Sequence, residues 1–166
     1  MGGVGRARPA AIALGSNLGD RQQHLDWAVA RLSTLLDGLR VSAVIETEPA
    51  GVGSQPSYLN ACATGRFTGE AAELLAALLA LERERGRTRP FPGAPRTLDL
   101  DLILLGNLVV DEPGLTVPHP RFRGRPFVLE PLASIAPDWV DPVTGLTIRA
   151  LLARLNPHDS RALPPE

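Results

Sequence analysis

Residues 94–102, Ala-Pro-Arg-Thr-Leu-Asp-Leu-Asp-Leu, constrain this chain more than any other stretch. From Leu98 the segment alternates apolar and polar, the period of a strand with one buried face. The pattern predicts Leu98, Leu100, Leu102 and Leu104 on one side and Asp99 with Asp101 on the other. The two aspartate Cα atoms would stand about 6.5 Å apart at a strand rise of roughly 3.3 Å per residue. Side-by-side carboxylates repel each other and strands are depleted in Asp, so a merely acidic outer face is the weaker reading. The stronger is a site for a hard cation such as Mg²⁺, which takes oxygen ligands and often brings nucleotide phosphates with it.

The remaining charge fits that reading. Net charge is −1, and all 17 basic residues are arginine. A near-neutral chain is no nucleic-acid binder by electrostatics. Absence of lysine excludes a P-loop, a kinase-type strand lysine and Schiff-base chemistry, and leaves anion binding to the guanidinium fork. Arg83, Arg85, Arg87, Arg89, Arg96, Arg121, Arg123 and Arg125 bracket the aspartate strand on both sides. That is the arrangement expected for a polyphosphate bridged by metal and neutralised by arginine. For Arg83 and Arg85, on a helix, a solvated face is the better reading.

At 166 residues the chain suits one domain, expected over 10–155, with tails at 1–9 and 156–166. No apolar run approaches the roughly 18 residues of a bilayer span, and no apolar stretch of a secretory signal follows Met1. The lone Cys62 excludes an internal disulfide framework. A cytoplasmic monomer, without membrane or nucleic-acid partners, is expected.

Along the chain, strand 10–14 ends in the turn Gly15-Ser16-Asn17, and Asp20 caps a helix striped by Leu25, Ala28, Val29, Leu32, Leu35 and Leu36, closed by Gly38. Strands follow at 41–47 and 58–67, then a helix over 69–85 striped by Leu74, Leu75, Leu78 and Leu79, with Glu82 extending its buried face. After the aspartate strand come short strands at 108–111 and 115–118 and helical stretches at 127–135 and 147–155. The order β-α-β-β-α-β predicts an α+β, ferredoxin-like sandwich, mainly antiparallel with helices packed on its faces. In the third strand Tyr58, Asn60 and Cys62 share a face. An aromatic ring beside an amide suits a flat heteroaromatic ligand, and Phe127 is the other ring placed to stack. His119 lies between Pro118 and Pro120 beside the arginines, while His24 has no evident role.

With these pieces in place the chain resembles the bacterial 6-hydroxymethyl-7,8-dihydropterin pyrophosphokinases. The likeness runs through ALGSNLGD at 13–20, QPSYLNA at 55–61, PRTLDLDLILLGN at 95–107, LTVPHPR at 115–121 and FVLEPLASIAP at 127–137. It implies transfer of the β,γ-diphosphate of ATP to the pterin hydroxymethyl group, releasing AMP, in folate biosynthesis. It implies two Mg²⁺ ions (Mn²⁺ as an alternative) on Asp99 and Asp101. Glu82, Arg87, Arg96, His119 and Arg125 fall at ATP-site positions, with Arg87 and Arg96 beside the aspartates as catalytic groups. Pterin would lie between Tyr58 and Phe127, its edge read by Asn60 and by Pro49, Ala50 and Gly51. One departure stands out: Phe91-Pro92-Gly93-Ala94 replaces an Arg-Trp pair common before the Pro-Arg, so the loop that would close over the substrates lacks its usual aromatic and one arginine. A binding-only member, a metal-dependent phosphohydrolase and a regulatory domain are the rival readings.

Overall fold

The computed structural model describes residues 6–47, 57–86 and 97–155. Its main sheet is antiparallel throughout. β1 (Ala7–Ser16) lies at the centre, flanked by β4 (Tyr58–Thr68) and β5 (Asp99–Leu105), and β2 (Asp37–Val41) and β3 (Ile45–Thr47) both pair with β4. The path β2-β4-β1-β5 places β5 at an edge. Between strands run α1 (Arg21–Leu35) and α2 (Ala71–Glu84). After β5 come a hairpin of β6 (Val110–Glu112) and β7 (Leu115–Val117), a 3-10 turn at Phe122–Gly124, α3 (Pro126–Ile135) and α4 (Ile148–Leu155). The α+β sandwich expected from the sequence is the fold observed.

Helices cover both faces. α1 and α2 lay Leu25, Ala28, Leu32, Leu74, Leu78 and Leu81 on Ile12, Leu14, Ala63, Leu98, Leu100 and Leu102. α3 and α4 lay Val128, Leu129, Leu132, Ile148 and Leu151 on Ala11, Ala13, Cys62, Ile103 and Leu104. Cys62 is accordingly a core hydrophobe: fully buried, its Sγ donating to the Val128 carbonyl at 3.4 Å, its thiol pushed up to about 12 by burial.

Several elements depart from the sequence expectation. Ordered pairing begins at Ala7, inside the segment expected to be a tail, with Ala7 opposite Thr68. Asp20 caps α1 as expected, accepting the Gln23 N–H at 3.1 Å. The helix stops at Leu35, however, and Gly38 (φ +66°) lies in β2 instead. The expected strand 41–47 is two strands, β2 and β3. Leu104 does not share a face with Leu98, Leu100 and Leu102. Ile12 pairs with Leu102 but Ala11 with Leu104, so Ile103 is an extra residue, and this bulge reverses the side chains beyond it. On α2 the buried stripe runs through Ala71, Leu74, Leu78, Leu81 and Glu82, leaving Leu75 half-buried and Leu79 exposed.

Candidate active site

Directly opposed residues of an antiparallel sheet share a face, so register alone assembles the site. Asn60 faces Gly15, and Gly15 faces Asp99; one step along, Cys62 faces Ala13, and Ala13 faces Asp101. The aspartates therefore stand on the α3/α4 face, at the end where the hydrophobic layer gives out. Two strand spacings, about 9.5 Å, separate Asn60 from Asp99. Between them lies Gly15, which has no side chain, so the sheet offers a flat floor with an amide at one side and a carboxylate at the other. Asn60 is buried, and its Nδ2 donates to Thr47 Oγ1 at 2.8 Å, which fixes which way the amide points. Thr47 escaped the sequence reading because its partner lies 13 residues away across β3 and β4. Half-buried Tyr58 continues the Asn60 face.

The N-terminus of α3 closes the opposite side. Arg125 Nη1 stands 4.0 Å from Asp101 Oδ2, with its guanidinium 5.6 Å from the centre of the Phe127 ring. Phe127, 36% exposed beside Arg125, leaves its ring open to solvent. Around the edge of β5 the aspartates open into a cleft of about 380 Å³. Its apolar wall comes from Leu75 and Leu79 of α2, Leu102 of β5, and Leu115 and Val117 of β7. The turned stripe of α2 thus gives two leucines to the cleft. Glu82, Thr116, His119 and Pro120 supply the rest of its lining that concerns ligand chemistry.

His119 follows the cis Val117–Pro118 bond. Its main-chain N–H donates to the Ile103 carbonyl at 2.9 Å, and its Nδ1 accepts the Arg121 N–H at 3.0 Å. An accepting Nδ1 puts the neutral ring's proton on Nε2. Burial lowers the pKa below its ordinary value, opposed by Asp101 and reinforced by Arg125, Arg121 and Arg123. The ring is thus a neutral donor among arginines, suited to a phosphate oxygen.

The arginines divide. Arg125 faces the site. Arg123 does not: it forms a two-pronged pair with fully buried Asp141 at 2.6 and 3.0 Å. Arg85 is no solvated residue either, since its Nε donates to His24 Nδ1 at 2.8 Å and its guanidinium lies 5.2 Å from the Trp27 ring. Arg87, Arg96, Pro49, Ala50, Gly51 and the Phe91 departure lie outside the described residues.

The donor set fits a hard cation. Two partly exposed carboxylates on adjacent same-face positions leave the rest of a coordination sphere to phosphate and water, the manner in which Mg²⁺ is usually held. Asp101 keeps its own cation, Arg125, at the outer limit of an ion pair. The Thr97 hydroxyl, two residues before Asp99, is buried without a hydrogen-bond partner.

The sequence model of the 7,8-dihydro-6-hydroxymethylpterin-pyrophosphokinase family matches residues 11–137. Over 150 residues the chain is 44% identical to a 2-amino-4-hydroxy-6-hydroxymethyldihydropteridine pyrophosphokinase of Synechocystis sp., covering 89% of this chain and 76% of that protein. A Bacillus subtilis protein of the same name is 42% identical over 128 residues, covering 76% of this chain and 77% of that one. Among solved structures, wild-type HPPK-DHPS of Plasmodium falciparum superposes with a TM-score of 0.73 at 12% identity, covering 95% of this chain. This chain spans 46% of the length of that one, and at such identity the likeness is of fold. The chain belongs to the 7,8-dihydro-6-hydroxymethylpterin-pyrophosphokinase family.

Proposed function

We infer that this chain transfers the β,γ-diphosphate of ATP to the hydroxymethyl group of 6-hydroxymethyl-7,8-dihydropterin, giving the pterin diphosphate and AMP in folate biosynthesis. The observation that carries the reading is the row Asn60–Gly15–Asp99, a flat floor whose carboxylate end opens directly into the cleft beside β5. On this reading pterin lies on that floor, stacked between Tyr58 and Phe127. Asn60 reads its edge with Pro49, Ala50 and Gly51, and ATP takes the cleft.

In the reaction the hydroxymethyl oxygen attacks the β-phosphorus, and the bond from that phosphorus to the α,β-bridging oxygen breaks. AMP leaves with the bridging oxygen, and the hydroxyl proton is released. Positioning and charge stabilisation supply most of what such a transfer needs. Asp99 and Asp101 would hold two Mg²⁺ ions, or Mn²⁺, which lower the pKa of a bound hydroxyl and neutralise phosphate charge. Arg125 beside Asp101 and the Nε2–H of His119 donate to phosphate oxygens as charge shifts from the β-phosphorus to the bridging oxygen. Arg87 and Arg96 are assigned to the same phosphates, and Glu82 to the wall of the ATP cleft. The leucine wall gives the nucleotide side an apolar surface. The protein is proposed to work as a cytoplasmic monomer, and no described helix is long and apolar enough to cross a membrane.

The test is AMP release from ATP and Mg²⁺ with and without the pterin. Pterin-dependent AMP is expected, with Asp99→Ala lowering it by at least about 10²-fold, the scale set by losing one stabilising group at a transferring centre. Phosphate release indifferent to pterin would replace this reading with a hydrolase.

A further inference from the structure

Glu82 lies near the C-terminal end of α2, 3% exposed, on the wall of the cleft onto which Asp99 and Asp101 open. A buried carboxylate is costly unless hydrogen bonds or cations meet its charge. Its Oε2 accepts the main-chain N–H of Leu100 at 2.7 Å. Leu100 is the residue between the two aspartates and lies opposite Leu14 of β1. Along an antiparallel strand successive N–H groups point alternately toward the partner and away from it. The Leu100 N–H, taken by Glu82 of α2, is one that faces the outer side of β5, the last strand of the sheet. A second tie on that edge is the His119 N–H to the Ile103 carbonyl, at the bulge.

We propose that Glu82 is a positioning residue for the metal site. Its carboxylate clamps the backbone of edge strand β5 at Leu100, and so sets the spacing and aim of Asp99 and Asp101. The proposal rests on the metal reading of those aspartates. One observation separates this role from direct ligation. Among the described residues, no group of three His, Cys, Asp or Glu side chains is close enough to hold one ion. The Leu100 side chain is itself buried in the α1/α2 core, so α2 holds this residue both by its side chain and by its amide. A hydrogen bond to an ionised acceptor is roughly twice as strong as a neutral one, which suits a clamp on an edge strand. Groups that orient metal ligands in this indirect way commonly govern affinity nearly as strongly as the ligands.

The experiment has two readouts besides turnover. One is hydrogen exchange of the Leu100 amide by NMR in the ligand-free protein. The other is Mn²⁺ binding by electron paramagnetic resonance in the presence of ATP, without pterin. Glu82→Gln keeps an oxygen able to accept from Leu100, and should retain both amide protection and Mn²⁺ affinity to within about threefold. Glu82→Leu keeps bulk without an acceptor; Leu100 exchange should rise and Mn²⁺ affinity fall by roughly 10–100-fold. Wild-type Mn²⁺ affinity in Glu82→Leu would overturn the proposal. So would lost affinity in Glu82→Gln with the Leu100 amide still protected, because charge rather than the clamp would then be what matters. That second outcome decides the question even if Glu82→Leu does not fold. Wild-type protein that binds Mn²⁺ with ATP yet forms no pterin-dependent AMP would sink the reaction and leave the role of Glu82 standing.

Discussion

At Gly15 the decisive property is space, since the backbone there is ordinary strand paired to Asn60 on one side and Asp99 on the other. A Cβ at this position would meet Asn60 Oδ1 at 3.1 Å and Tyr58 Cδ1 at 3.9 Å. The Asn60 amide cannot retreat freely, because its Nδ2 is tied to Thr47. Gly15→Ala should therefore disturb the pterin floor while leaving the ATP cleft alone. Loss of one hydrogen bond, about 1–1.5 kcal/mol, raises the pterin KM roughly 5–10-fold. The ATP KM should stay put, and steady-state kinetics with each substrate varied in turn checks both. An unaltered pterin KM would remove Asn60 from the substrate's edge.

Between α1 and α2 runs a seam whose polar contacts titrate. The Trp27 ring lies 5.0 Å from the guanidinium of Arg31 and 5.2 Å from that of Arg85. Arg31 grips Glu84 at 2.7 and 3.1 Å, and His24 Nδ1 accepts from Arg85. Burial, and then the Arg85 charge, lower the His24 pKa below 6.5. The fold thus favours neutral His24, and the unfolded chain takes up the proton first. Its contribution is whole above pH 6.5 and is lost as pH falls through the lowered value. His24→Gln, which can still accept from Arg85 but does not titrate, should lose less Tm than wild type between about pH 7.5 and about pH 5.5. Parallel Tm curves would place the acid sensitivity elsewhere. No period in the sequence marks this seam: His24 and Arg85 are 61 residues apart. The elements themselves were legible, because apolar spacing specifies α1, α2 and the aspartate strand locally. What stayed hidden depends on neighbours. The Ile103 bulge arises where β5 meets β1. The turned face of α2 follows from a cleft that only the assembled β5 and β7 create. The same division holds at the site, where the aspartate pair and the Tyr58–Asn60 face could be read from alternation, but Thr47 and the Leu100 clamp could not.

Across the whole molecule the arginines show why charge counting overreaches. Arg121, Arg123 and Arg125 read alike in the sequence, yet Arg125 turns to Asp101 while Arg123 turns inward. Asp141, with no exposed side-chain surface, accepts from Arg123 Nε and Nη2, from Thr144 Oγ1 at 2.7 Å and from the Val143 N–H at 3.0 Å. Burial pushes this carboxyl's pKa upward, but the hydrogen bonds and the Arg123 charge outweigh it and hold the group below the ordinary aspartate value. The pair ties the 3-10 turn before α3 to the turn before α4. It thereby pins the layer that covers the second face and carries Arg125 and Phe127. Removing the arginine leaves a buried carboxylate without its cation, at a cost of about 3–5 kcal/mol. For a domain of this size that is a Tm loss of roughly 6–20 °C, at about 2–4 °C per kcal/mol. Arg123→Ala should show this drop by calorimetry while its ATP KM, measured well below the transition, stays within about twofold, as for a substitution with no contact to substrate. A large rise in ATP KM with an unchanged Tm would instead return Arg123 to the phosphate site and leave Asp141 needing another explanation for its burial.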